Sequence, residues 1–197
     1  MLEFFKSAFC SGDPLYTAGQ ILGFVLIVIG FFVYYSKKRS TILAVKLTTD
    51  VICVFQQAMI GAFTGSLLNG IAVFREVVFY NRLDKKWAAH RFWLYFFLVL
   101  MGLAPILTWE GWISLFPALG SVCAVISFYM KNPTHIRIAG LGTTVLWLFY
   151  CIFTNNVGGI IQNIINLISI FIALTRDHAG FFQKKREKED ASRGIEE

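Results

Sequence analysis

Charge is scarce in this chain. Only 15% of its 197 residues are Asp, Glu, Lys or Arg, against about 25% in an ordinary soluble domain. With 56% of residues hydrophobic, an interior of this size could not hide the apolar surface. That speaks against a soluble enzyme and against a nucleic-acid-binding domain, even at a net charge of +6. Cysteine is sparse and scattered. Cys10, Cys53, Cys123 and Cys151 lie far apart with no C-x-x-C pair, which removes a disulfide scaffold and a thiolate metal site. The three histidines, His90, His135 and His178, fall between or beyond the apolar runs, so none is placed as a buried base or ligand. No enzyme activity, metal or cofactor is expected.

What is abundant is apolar run. Seven stretches can be read, at 18–35, 41–60, 63–80, 92–109, 112–130, 137–153 and 158–175. About 20 residues cross a bilayer as helix, and hydrocarbon leaves the backbone no other way to satisfy its polar groups. An all-α membrane protein of seven spans follows. Residues 1–17 read as a short external segment, in which Phe4, Phe5 and Phe9 could meet the headgroups. They do not form a cleaved signal. Residues 177–197 read as a solvated tail.

Basic residues set the orientation. Lys37, Lys38 and Arg39 follow the first run; Arg82, Lys85, Lys86 and Arg91 follow the third; Lys131 and Arg137 follow the fifth. The tail adds six more. With seven spans, fifteen of the eighteen basic residues share one side. The N-terminus is then outside and the C-terminus cytoplasmic, in a plasma membrane. Anionic lipids of the inner leaflet are the expected partners of this charge, not nucleic acid. Oligomeric state is left open.

The chain also resembles itself. A shift of 94 residues lays runs 1–3 on runs 5–7 without a gap. Tyr35 then matches Tyr129, Lys37 matches Lys131, Gly65 matches Gly159, Asn69 matches Asn163 and Arg82 matches Arg176. The plan is three helices (18–82), a loop and linker helix (83–110) and three helices (111–176). One linker span makes the two triplets parallel, a known transporter arrangement.

On these residues the chain resembles the SWEET, SemiSWEET and PQ-loop superfamily, over about 18–178. Its most specific patch is Trp147-x-x-Tyr150 followed by Asn163. More closely still, the chain is similar to YgjV-type bacterial inner-membrane proteins. The resemblance implies a midplane pocket at Trp147 and Asn163, with Cys53 and Asn69 as their counterparts in the first triplet. It also implies a small, sugar-like solute moved by alternating access, with bends at Pro117 and its counterpart Gly23. The family's Pro-Gln dipeptide is absent.

The residues themselves add one candidate. Lys46, Asp50, Cys53 and Gln57 share one helix face, and an ionised Asp in a span costs about 2.5–3.5 kcal/mol on insertion scales unless it faces the bundle interior. Asp50 could line the pathway or carry a proton; it could equally be an i,i+4 partner of Lys46. Asn69 and Asn163 could bind solute or join helices. Arg75 and Glu76 read as snorkelling or paired residues near the inner end of the third run. Gln162, Asn166 and Ser169 form a polar stripe suited to helix packing. Two functions fit: a small-solute carrier, or a non-transporting sensor, receptor or scaffold on the same fold.

Overall fold

The structure is a computed structural model. It describes residues 13–109 and 111–193, with side chains through Asp177. Phe4, Phe5 and Phe9 lie outside it. Among the described residues the fold is all helix: α1 (Pro14–Tyr35), α2 (Arg39–Met59), α3 (Phe63–Asn81), α4 (Phe92–Leu107), α5 (Leu115–Tyr129), α6 (Pro133–Phe153) and α7 (Val157–Arg193). A one-turn helix, Lys86–Ala89, interrupts the connection before α4, and a 3-10 turn, Gly111–Ser114, leads into α5. Among the described residues five segments are long and apolar enough to cross a membrane: α1, α2, Gly111–Tyr129, α6 and α7 as far as Asp177. At 16 residues α4 is apolar but short, about 24 Å at 1.5 Å per residue. The 19 residues of α3 include Arg75 and Glu76.

Two helix starts follow capping rather than hydropathy. The Asp13 carboxylate accepts the Leu15 N–H at 2.9 Å with Pro14 opening the helix, so α1 begins four residues before its apolar run. Asn132 does the same for α6, accepting the Thr134 N–H at 3.0 Å ahead of Pro133. Such a cap satisfies first-turn donors that otherwise have no partner. At the other extreme α7 runs on to Arg193. The residues expected as tail are rich in Lys, Arg and Glu, good helix formers with charges of both signs.

Six helices form a closed ring. α1 packs on α2 and α7, α2 on α3, α3 on α5, α5 on α6, and α6 on α7; α4 lies across the α3/α5 joint. The outside is apolar, with Val28, Phe32, Phe74, Ile106 and Phe171 all more than half exposed. Gln20, Asp50, Gln56, Glu76 and Ser169 are buried within. Polar inside and apolar outside is what lipid requires.

The α1/α7 seam is the tightest. A Cβ on Gly158 would sit 2.6 Å from the Gly23 Cα, and one on Gly23 would sit 2.9 Å from the Gly158 Cα. Gly23 therefore serves backbone-to-backbone contact within an unbroken α1. Pro117 stands in the first turn of α5, where the N–H it lacks would have had no helical partner anyway. The proline deeper inside a helix is Pro105, near the end of α4. Gly61 is no packing glycine either; with φ +78° and open space around it, it turns the chain from α2 into α3.

Four arginines close one end of the ring by donating to helix C-terminal carbonyls. Arg39 reaches Phe79 O (2.8 Å), Met130 O (3.0 Å) and Phe128 O (3.2 Å). Arg137 reaches Ser36 O (2.6 Å) and Tyr34 O (3.0 Å) and pairs with Asp177. Arg82 bonds Tyr129 O and lies over the Tyr129 ring. Arg176 bonds Tyr35 O at 2.9 Å and lies over the Tyr35 ring.

The glycines make a direct test of this packing. Gly158→Ala pushes backbone against backbone and is expected to destabilise by about 1–3 kcal/mol. Gly142→Ala, with nothing within 4 Å of the new Cβ, is expected to be neutral or up to about 1 kcal/mol stabilising. Thermal unfolding of the two purified variants in detergent distinguishes them.

Candidate functional site

The ring encloses a cavity bounded by α1, α2, α3, α5, α6 and α7. Unfilled space among its lining residues amounts to about 640 Å³, counting the part open to the outside. Asp50, Cys53, Asn69, Trp147 and Asn163 all line it. The α2 face that carries Lys46, Asp50, Cys53 and Gln57 supplies one wall, as its seven- and eleven-residue spacing requires.

Asn69 and Asn163 have the same local geometry. Each donates Nδ2–H to the carbonyl four residues back, Asn69 to Gly65 O at 2.9 Å and Asn163 to Gly159 O at 2.8 Å. A carbonyl can only accept, so the orientation of both amides is fixed and Oδ1 points away from that bond. The two glycines are also equivalent. Each is the third residue of its helix, where the N–H has no helical partner. The Gly65 N–H is accepted by the Tyr150 hydroxyl at 3.0 Å, and the Gly159 N–H by Asn156 Oδ1 at 2.9 Å. A Cβ at Gly65 would meet Gln57 and Tyr150; one at Gly159 would meet Cys151 and Asn156.

Trp147 is seated on Gly120, where a Cβ would lie 2.8 Å from its Cδ1, and Tyr150 stands perpendicular to it with ring centroids 5.8 Å apart. Across the cavity, Gln56 and Asn156 exchange two amide hydrogen bonds of 2.9 and 3.2 Å. Gln20 donates to Asn155 O at 3.1 Å. Asn155 takes the left-handed conformation at φ 50°, one that Asn tolerates better than most residues.

The charged wall is more extensive than the sequence indicated. Lys46 pairs with Asp50 Oδ1; Arg75 Nη2 lies 3.9 Å from Asp50 Oδ2 and 2.6 Å from Glu76 Oε1. Arg75 is 2% exposed and Glu76 0%, so these two do not snorkel: they pair inside the bundle. The guanidinium also sits 5.4 Å from the centroid of the Phe128 ring. Two cations and two carboxylates make a formally neutral quartet. Three of its buried polar atoms, Asp50 Oδ2, Arg75 Nε and Glu76 Oε2, have no hydrogen-bond partner. The sequence held a signal for Arg75: with Asn69 and Ala72 it repeats at three-residue spacing along one face of α3. Gln162 and Asn166 also line the cavity, while Ser169 joins helices by donating to Phe31 O at 2.8 Å. Among the described residues no three His, Cys, Asp or Glu side chains gather as a metal site.

A buried, all-helical bundle with its polar groups turned inward defines an integral membrane protein. The chain belongs to the Imp-YgjV family, described as bacterial inner membrane protein, whose profile matches residues 17–180. It is accordingly a multi-pass inner-membrane protein. No curated protein and no solved structure matches the chain.

The quartet predicts its own mutational pattern. Arg75→Ala leaves two carboxylates facing one lysine in low dielectric and is expected to cost about 3–5 kcal/mol. The double replacement Arg75→Leu/Glu76→Leu removes one charge of each sign and is expected to cost less than the single change. Denaturant unfolding of the three proteins measures the order.

Proposed function

We propose that the chain is a carrier for a small polar solute, working by alternating access around the central cavity. The observation that carries this is the cavity's composition: equivalent asparagines, Asn69 and Asn163, on equivalent helices, with Cys53 and Trp147 at the other matched pair of positions. The seven-span plan of three, one and three helices is part of the same reading, with the N-terminus outside and the C-terminus cytoplasmic. It is supported by a reciprocal contact. Arg82 of the first triplet bonds Tyr129 O of the second, and Arg176 of the second bonds Tyr35 O of the first. Both partners of each bond are 94 residues from their counterparts. The ring contacts fit as well, since α1/α7 and α3/α5 exchange under that shift.

Such a carrier needs no covalent chemistry. It needs a site of similar affinity in two arrangements of its halves. Asn163 offers its Oδ1 after its Nδ2 has met Gly159 O and, at 3.6 Å, the Cys151 sulfur. Gln57 Oε1, Thr143 Oγ1 and Asn166 Oδ1 are buried without a partner. A lining rich in acceptors favours a solute rich in donors, such as hydroxyls or amines, and the Trp147 ring offers a face to stack on.

Purified protein in sealed liposomes tests the carrier reading against a library of labelled small solutes. Uptake of at least one is expected, reduced tenfold or more by Asn163→Ala and by Trp147→Ala. Binding without uptake would mark a receptor or sensor instead, and uptake unchanged by both substitutions would move the site elsewhere. For topology, a fluorescent protein fused to Glu197 is expected to fold and fluoresce in cells, and alkaline phosphatase fused there to be inactive.

A further inference from the structure

The two walls of the cavity differ in charge. Among its lining residues the charged groups are Lys46, Asp50 and Arg75, all from α2 and α3. Ninety-four residues on, Gly140 stands for Lys46, Thr144 for Asp50, Ser169 for Arg75 and Ile170 for Glu76. A duplicated frame thus holds a single ionic site.

Within the quartet, access is unequal. Lys46 is 21% exposed, while Asp50 and Glu76 are 0% and Arg75 2%. Lys46 is therefore the charge a solute in the cavity can touch, and an ammonium recognises an anion. Yet Lys46 is already held by Asp50 Oδ1, and the quartet is neutral as it stands. An added anion would leave a net negative charge in low dielectric, which is unfavourable. The one small cation able to enter without room of its own is a proton; Asp50 borders the cavity, and its buried Oδ2 has no hydrogen-bond donor.

We infer that Lys46 and Asp50 together bind one carboxylate-bearing solute and one proton. The inference rests on the reading of the cavity as a solute site. Hydronium in the cavity gives its proton to Asp50 Oδ2, leaving water and a neutral carboxylic acid. The quartet becomes singly positive and Lys46 loses its ionic partner. The solute's carboxylate then pairs with the Lys46 ammonium, and the site is neutral again. Each ligand strengthens the other's binding by the same factor. The groups facing Asp50 fit this exchange. Beside Lys46 and Arg75, α1 supplies Tyr34, packed over Gly140; α2 supplies Cys53; α3 supplies Glu76 behind Arg75. The cavity-lining residues of α5, α6 and α7 bring no charge.

The test is calorimetric titration of acetate into the purified full chain in lipid nanodiscs, with acetamide as the neutral control. Runs in buffers of different ionisation enthalpy count the protons taken up. One proton per acetate is expected at neutral pH, with affinity falling about tenfold per pH unit on the alkaline side. Asp50→Asn mimics the protonated acid, so acetate should bind it with no proton uptake and no pH dependence. Lys46→Gln should lose acetate binding and Lys46→Arg should keep it. Acetate that binds the wild type without a proton overturns the inference, as does its failure to bind, or a pH dependence that survives in Asp50→Asn. The measurement needs no flux. Proton-linked binding in a protein that moves no solute across liposomes would sink the carrier reading and leave this one standing.

Discussion

Helix C-termini leave carbonyls without partners, and a bilayer supplies no water to satisfy them. At one end of this bundle arginines do so. Arg39 caps the ends of α3 and α5, Arg137 the end of α1, and Arg82 and Arg176 the last turns of α5 and α1. The positive guanidinium also suits the negative end of a helix. Because each donor comes from a different helix than its acceptor, satisfying the carbonyls ties the helices of the ring together, some of them across an intervening helix. Enclosure of a cavity depends on this: without the arginines, the seams α1/α7 and α3/α5 would end in bare backbone.

Inside that frame, structure and chemistry part company. Equivalent glycines and asparagines recur in both halves with hydrogen bonds within 0.1 Å of each other, 2.9 and 2.8 Å. The ionic residues do not recur. Where the first half carries Lys46, the second has Gly140, and the ring of Tyr34 fills the space, with its Cε1 2.9 Å from where a Cβ would stand. A glycine in one copy thus makes room for an aromatic beside the charge of the other.

Much of this was legible in the chain. Each apolar run falls on a helix, as a hydrocarbon environment requires, and among the described residues five of these are long and apolar enough to cross a membrane. The face of Lys46, Asp50, Cys53 and Gln57 turns inward as its spacing requires, and the five site candidates share one cavity. The starts of α3, α4 and α7 fall within a residue of their apolar runs, whereas those of α1 and α6 were not legible from hydropathy, since Asp13 and Asn132 set them by capping and both are polar. The depth of Arg75 was not legible either. A charged residue five positions from the end of an apolar run can snorkel or turn inward, and only the position of Asp50 on the neighbouring helix decides between them. Nor does a glycine announce whether it bends a helix or admits another: Gly23 lies against Gly158 because of where α7 runs.

That contact bears on how the ring could deform. Two helices whose backbones touch at Gly23 and Gly158 have no side chains there to yield, so the spacing of α1 and α7 is fixed by backbone contact. Amide and carbonyl bonds from Gln20 and Gln56 to Asn155 and Asn156 reinforce the join. The opposite joint, between α3 and α5, is tied by Arg39 and Arg82 and is covered by α4, which packs on both helices. The helix that covers this joint lies, in the sequence, between the two stretches that the 94-residue shift lays on each other.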